Sequence, residues 1–325
     1  MRRRMASLST STRQAAAFAG SGDWELYAGQ WRRHLRGRNL AASTVRGYLV
    51  SLGTLASWAV HRGVMSPLRV SRRDLESFLA DRQTVPGPSG RAAAATTAAI
   101  DVRQLKVFFR WLADVEQIGN PAAGLALPRL DERPVPLFTD AELRALLKAC
   151  TGRAFLARRD TAIIRVLFDT GIRHGELAAL DLLDLDLDEQ VIRIAGKGRR
   201  TRLVPYGTHT AIAIDDYLRL RARHPDAGLS QLWLAGGHHR GRLGYDGIRL
   251  MLGHRARQAG ITGRVYAHRF RHTAVSSQLE AGLSEGDAMR IFGWKTRAML
   301  DRYAADAAQR RAVKAARRLS HADRI

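Results

Sequence analysis

Residues 267–272 read AHRFRH, placing two histidines and two arginines within one and a half turns of a helix. His268 and His272 stand four apart and share a helix face, as the two histidines of a zinc-binding H-E-x-x-H segment do. Here, however, the residue after His268 is Arg269, not a glutamate, and a cation beside a dication is repelled. A solvated basic face is the next reading. It must accommodate Phe270, Ala274, Val275 and Leu279, which continue an apolar stripe beneath the charges. The segment is therefore expected to pack, and a buried arginine without an anionic partner is costly. His268 and Arg271, at i and i+3, can grip one anion together, and the planar guanidinium fork suits phosphate oxygens.

The whole chain points the same way. Its 325 residues carry a formal net charge of +23 with no compensating acidic block, which favours a polyanionic partner through counterion release. Nucleic acid leads. A membrane surface would call for one strongly basic amphipathic helix, whereas the arginines are spread over nearly the entire length, and no apolar run approaches the roughly 20 residues of a span. With 46% hydrophobic residues the chain is expected to be globular, with room for two domains. Cys150 is the sole cysteine, so neither a disulfide framework nor a thiolate zinc site is available, and a reducing compartment is expected. The opening MRRRMASLSTSTRQAAAFAGSG is basic and Ser/Thr-rich but lacks a secretory apolar core, so residues 1–21 read as a disordered basic tail.

Asp23 is placed to cap a helix bearing Trp24, Tyr27, Trp31 and Leu35, and Ser43 begins another with Val45, Tyr48, Leu49, Leu52, Ala56 and Ala59. Ser71 and Asp74 form a capping-box variant for a third, and Ile100–Val115 forms a fourth with Leu105, Phe108, Phe109 and Leu112 inward. Together these make a helical domain over 22–120. Pro121, Pro128, Pro134 and Pro136 mark a linker over 121–138. A second domain, 139–325, opens with the Thr139–Glu142 capping box. Between Leu182 and Pro205 the period changes to two, and VIRI and RLVP flank AGKGRRT as a β-hairpin with Lys197 in its turn. Asp184, Asp186 and Asp188 fail the calcium-loop template, because Glu189 and Ala195 occupy the glycine and bidentate-glutamate positions; they read as the wet face of a strand. From Asp215 onward the chain reads as helical.

At this point the sequence resembles the tyrosine recombinases, or phage integrases, over nearly its whole length. TGIRHGEL resembles the family's first arginine motif, implying Arg173 as a phosphate ligand and Glu176 as the acid that orients it. GKGRR resembles the hairpin lysine motif, implying Lys197. HRFRH fits the pattern H-x-x-R-H, implying His268 and Arg271 as ligands with His272 supporting, and FGWKTRAMLDRYA resembles the closing motif, implying Trp294 as a further contact and Tyr303 as the nucleophile. The resemblance implies a mainly α fold with a small β-sheet: a helical core-binding domain plus an α+β catalytic domain, the two closing around duplex DNA. It implies a site-specific recombinase that works through a 3′-phosphotyrosyl intermediate, without cofactor or metal, as a homotetramer on two DNA sites. Accessory recombination factors and a cytoplasmic, nucleoid-associated location are further expectations.

The chemistry of the residues agrees. A tyrosine phosphodiester stores the cut bond without ATP, and two arginines supply preorganised charge. Lysine can be tuned into a proton donor, which arginine cannot; only five of the 53 Lys and Arg residues are lysine, yet one of them stands in this turn. Three departures are visible. Phe270 replaces the commoner leucine; Trp294 stands where Xer-type members usually have histidine, a likeness to mobile-element integrases; and the tail after Tyr303 carries few large apolar residues. The alternatives are a non-catalytic DNA-binding protein on the same fold and a type IB topoisomerase-like enzyme.

Overall fold

The computed structural model describes residues 22–86, 90–128, 135–195 and 201–319. The expected tail 1–21 and Lys197, within 196–200, lie outside the described residues. The chain divides into two compact units, 1–133 and 134–325.

Among the described residues, four helices build the first unit: α1 (Asp23–Gly37), α2 (Ala42–Val60), α3 (Arg72–Thr84) and α4 (Ala95–Glu116). Their apolar stripes meet in a core containing Trp24, Trp31, Leu52, Phe78, Phe108 and Phe109, which also takes in Ala122 and Leu125. The Ser71–Asp74 capping box forms with both of its hydrogen bonds. Asp23 does not cap α1: Gly22 holds that position, and Asp23 lies in the first turn, where its negative charge complements the positive end of the helix dipole. α4 starts at Ala95, five residues before the apolar stripe announces it, because Ala-Thr-Thr-Ala-Ala propagates a helix without presenting a stripe. One buried polar knot ties three helices together. Asp101 on α4 accepts from Ser51 on α2 at 2.6 Å and from Arg82 on α3 at 3.0 Å.

The second unit runs α5 (Asp140–Ala149), α6 (Phe155–Thr170), α7 (His174–Ala178), β1 (Leu185–Asp186), β2 (Val191–Ala195), β3 (Thr201–Pro205), α8 (Thr208–Arg221), α9 (Tyr245–Gln258), α10 (Ala267–Glu280), α11 (Glu285–Phe292) and α12 (Arg297–Arg318). The strands form one antiparallel sheet in the order β1-β2-β3, with Ile192 opposite Val204 and Ile194 opposite Arg202. The fold is thus mainly α with a small sheet. The acidic triplet does not form one strand face. Asp184 ends a 3-10 turn and accepts from the Asp181 amide, Asp186 pairs with Arg193 at 3.0 Å, and Asp188 lies beyond β1.

Nor is the chain helical throughout from Asp215. Residues 222–244 form turns and extended segments, in which Leu232, Trp233 and Leu234 enter the core. Buried Arg221 supports this course by donating to the carbonyls of Ala227, Leu229, Gln231 and Leu232, the last of which also accepts from the Tyr217 hydroxyl. Among the described residues, no helix is long and apolar enough to cross a membrane.

Two apolar clusters share α10. Phe270 belongs to the main core with Ile163, Leu167, Ile248 and Leu252, whereas Val275 and Leu279 belong to a smaller one with Phe292, Trp294 and Leu300. The helix carrying the AHRFRH motif is therefore fixed on two sides. A second fixed point lies at Asp160 on α6, 3% exposed, which receives Arg159 on one oxygen and Arg255 of α9 on the other, each at 2.8 Å. Removing the charge leaves two largely buried guanidinium groups without it. We expect Asp160→Asn to cost about 3–5 kcal/mol, read from chemical unfolding, while an unshifted unfolding midpoint contradicts this account of the core.

Candidate active site

α10 presents His268, Arg271 and His272 on one face, at i, i+3 and i+4. Arg269 points elsewhere. It is 5% exposed, donates to Glu142 at 2.8 Å and to the carbonyls of Pro136 and Leu137, and lies 3.9 Å over the Phe138 ring. Its charge is already matched, so Arg269 braces the start of the second unit. Glu142 serves twice, closing the Thr139 capping box as well. Burial raises the pKa of Glu142, but the Thr139 amide and Arg269 outweigh it and hold the carboxyl below its ordinary value.

Arg271 differs from its neighbour. It is 2% exposed and donates to the carbonyls of Gly171 (2.8 Å) and Phe292 (2.6 Å), yet among the described residues it forms no ion pair with a carboxylate. Burial and the nearby charge of Arg173 push its pKa down to about 10, so it remains a cation at neutral pH. A buried, underneutralised guanidinium is a site waiting for an anion.

Arg173 arrives from the turn after α6. Gly171 caps that helix in the left-handed region, φ 56°. A Cβ there would stand 2.8 Å from Phe292 and 3.2 Å from Ala274, so both the conformation and the space require glycine. Two residues on, Arg173 forms the N-cap of α7, with its amide donating to Glu176 Oε2 (3.0 Å) and its Nη1 to Glu176 Oε1 (2.9 Å). Its Nη2 donates to the Gly293 carbonyl at 3.1 Å. Arg202 of β3 grips the same carboxylate at 3.0 and 2.6 Å. Burial favours the neutral acid, but Arg202 first and Arg173 second overcome it, and Glu176 is held below its ordinary pKa.

The third contribution comes from α12 and the turn before it. Tyr303 places its hydroxyl 3.3 Å from His268 Nε2, its ring stacked on Trp294 (centroids 4.8 Å apart, 29°) and 4.3 Å from the His272 ring. A cavity of about 500 Å³ joins Arg173, His268, Arg271, Trp294 and Tyr303. All the sequence-derived site residues among the described ones thus converge: these five line the cavity, and Glu176 and His272 brace Arg173 and Tyr303. Its cationic wall suits an anion better than a metal ion. Burial, then Arg271 and Arg173, lowers the His268 pKa, which leaves a neutral ring able to accept a proton.

Sequence reasoning missed His174, Tyr245, Arg249 and Tyr266, which line the same cavity, and Arg202 behind it. His174 stacks on Tyr245 at 3.7 Å. Arg202 did leave a signal. Alternation in β3 puts it on the same inward face as buried Val204, an unusual place for an unpaired arginine.

Comparison with known proteins agrees with this geometry. The phage integrase family model matches residues 137–310. Tyrosine recombinase XerC of Shewanella amazonensis is 32% identical over 255 residues, 78% of this chain and 81% of that one. XerC of Oceanobacillus iheyensis is 29% identical over 83% of this chain and 88% of its own. Tyrosine recombinase XerD of Yersinia pestis is 34% identical over 56% and 58% respectively. The fold is shared with the Tn1549 transposon integrase in complex with transposon right end DNA (TM-score 0.68, 19% identity, covering 90% of this chain and 99% of that one). It is also shared with the XerH site-specific recombinase bound to its difH substrate (TM-score 0.69, 16% identity, 94% and 86%). The chain belongs to the phage integrase family and is a tyrosine-type site-specific DNA recombinase.

One consequence concerns pH. Burial first, then the charges of His268 and Arg271, pushes the His272 pKa down to about 4. An unfolded histidine titrates near roughly 6.5, so the unfolded chain binds the extra proton first. Stability from this group is complete above the unfolded value and declines as the pH falls toward the folded one. We expect His272→Gln to flatten part of the acid loss of stability between these two values, measured by unfolding at a series of pH values. An unchanged pH dependence contradicts a neutral, half-buried His272.

Proposed function

We propose that Tyr303 attacks a scissile phosphate in duplex DNA, forming a bond from its phenolic oxygen to phosphorus while the bond to the 5′-oxygen breaks. The product is a 3′-phosphotyrosine and a free 5′-hydroxyl. Arg173 and Arg271 hold the non-bridging oxygens and stabilise their developing charge, with the Trp294 indole N–H as a further donor. His268 accepts the phenolic proton, and Lys197 delivers a proton to the departing 5′-oxygen. Glu176 orients Arg173, and His272 supports the Tyr303 ring. A 5′-hydroxyl from a partner duplex then attacks the phosphotyrosine and releases Tyr303, which completes strand exchange without metal or cofactor.

The observation that carries this reading is the placing of Tyr303. Its hydroxyl meets a neutral histidine at 3.3 Å inside a cavity walled by two arginines. That is long for a hydrogen bond to an attacking group, as is common before substrate tightens a site. A non-catalytic DNA-binding protein would have no need to keep this contact.

Around this centre we place residues 22–120 as a core-binding domain and 139–325 as the catalytic domain, acting as a homotetramer on two DNA sites in the cytoplasm, in contact with the nucleoid and with accessory recombination factors. Trp294 supports action on a mobile element, while the relatives of similar sequence are Xer recombinases, so integration, excision and dimer resolution are the roles to compare; the fold is shared with a transposon integrase and a Xer recombinase alike.

The test mixes wild-type and Tyr303→Phe protein with fragmented genomic DNA, quenches with detergent under chelator and sequences what stays attached to protein. The wild type is expected to give adducts clustered at one sequence, and the Tyr303→Phe protein none while still binding the same fragments. Adducts that survive the substitution refute the assignment of the nucleophile. DNA binding should also weaken steeply as salt rises, as many phosphate contacts require; a flat response contradicts a phosphate-gripping surface.

A further inference from the structure

The carbonyl end of α11 is where the arginines of the site meet. α11 ends at Phe292, with Gly293 in the left-handed region (φ 66°), leaving its last carbonyls without helical partners. Three consecutive carbonyls are each taken by a different arginine from a different element. Arg202 of β3 donates to Ile291 at 3.0 Å, Arg271 of α10 to Phe292 at 2.6 Å, and Arg173 at the start of α7 to Gly293 at 3.1 Å. Two of these three are the phosphate ligands of the reading above. The third, Arg202, does not line the cavity.

Arg202 has a second attachment. Its two terminal nitrogens hold both oxygens of Glu176, the carboxylate that also holds Arg173. It therefore bridges the two things that aim Arg173, namely the Glu176 carboxylate and the α11 terminus. Its side chain is 14% exposed, and the Gly293 backbone packs against it so closely that a Cβ would stand 3.2 Å from the guanidinium. Directly after that glycine come Trp294 and α12 with Tyr303.

We propose that Arg202 is a positioning residue for DNA cleavage: by holding Glu176 and the Ile291 carbonyl at once, it sets Arg173 against the phosphate and fixes the turn that leads to Trp294 and Tyr303. This rests on the recombinase reading above, and it adds a residue that the motifs do not contain. Arginine is needed for it, since one planar fork grips the carboxylate while Nε serves a carbonyl, and lysine cannot match that geometry.

The role predicts a behaviour that simple loss of packing does not. The groups facing Glu176 are Arg173 from α7, Arg202 from β3 and, through its charge, Arg271 from α10. With Arg202 removed, burial acts on Glu176 against weaker opposition, and its pKa rises. On the acid side Glu176 then protonates and lets go of Arg173. Cleavage by Arg202→Gln is therefore lost as the pH falls through the raised Glu176 pKa, a limb that the wild type lacks over the same range. In the double variant Arg202→Gln/Glu176→Gln the limb disappears, because no carboxylate remains to titrate.

The experiment measures single-turnover adduct formation on a nicked duplex carrying the sequence trapped by wild-type protein, with DNA affinity measured alongside. Arg202→Gln is expected to cleave on the order of 10- to 100-fold more slowly, as misplacement of a positioned group does, with unchanged DNA affinity and the new acid limb. Arg202→Lys should fall between it and the wild type. Wild-type-like cleavage by Arg202→Gln, or equal loss of binding and cleavage with no acid limb, overturns the proposal. An arm without DNA keeps this separate from the recombinase reading. Carboxyl ¹³C NMR, with Glu176→Gln identifying the resonance, should show Glu176 titrating at higher pH in Arg202→Gln than in the wild type. Identical titration overturns the role of Arg202 even if no adduct is ever found, whereas a shifted titration without adducts in the wild type sinks the recombinase reading alone.

Discussion

Three arginines cannot be brought together in a protein interior without something negative between them, and here the carbonyl end of α11 supplies most of it. A helix carries partial negative charge at that terminus and has carbonyls free to accept. Arg202, Arg271 and Arg173 take Ile291, Phe292 and Gly293 in turn, and a single carboxylate, Glu176, completes the arrangement. Carbonyl dipoles hold the arginines without neutralising them, so Arg271 and Arg173 keep net charge with which to meet the phosphate proposed above. A carboxylate on each arginine would have placed them equally well and left nothing for the substrate.

The same economy explains why two arginines two residues apart on one helix have opposite fates. Arg269 is matched by Glu142 and two carbonyls, and it serves only to brace α10 against residues 136–142. Arg271 is buried just as deeply, but it donates to main-chain carbonyls and, among the described residues, forms no ion pair with a carboxylate. Burial in α10 is possible at all because the helix is shared between two apolar clusters, with Phe270 in one and Val275 and Leu279 in the other. Rigid backing of this kind turns a row of basic side chains into a binding site with fixed geometry.

Much of this was legible in the sequence because it lies in side-chain pattern. The stripes of α1 and α2, the capping boxes at Ser71 and Thr139 and the glycine turn at Gly171 all follow from residue type and spacing, whereas the grouping of Arg173, His268, Arg271, Trp294 and Tyr303 was implied by the resemblance of their motifs to the tyrosine recombinases. What escaped lies mainly in the backbone. Nothing in the letters Ile291, Phe292 and Gly293 says that their carbonyls will anchor a site. The non-helical course of 222–244 depends on Arg221 meeting four carbonyls, again a matter of main chain. The early start of α4 at Ala95 escaped for the opposite reason, since alanine favours a helix without patterning it.

The central claim is that this assembly exists to present one tyrosine to a phosphate. Tyr245 and Tyr266 line the same cavity, so the choice of Tyr303 is a real one. The direct measurement is to digest the trapped adduct with nuclease and protease and to locate the residual nucleotide by tandem mass spectrometry. The account predicts a 3′-linked nucleotide phosphate on the peptide that contains Tyr303, and only there. A modification on Tyr245 or Tyr266 would contradict it, because neither has His268 within reach of its hydroxyl among the hydrogen bonds that define the site.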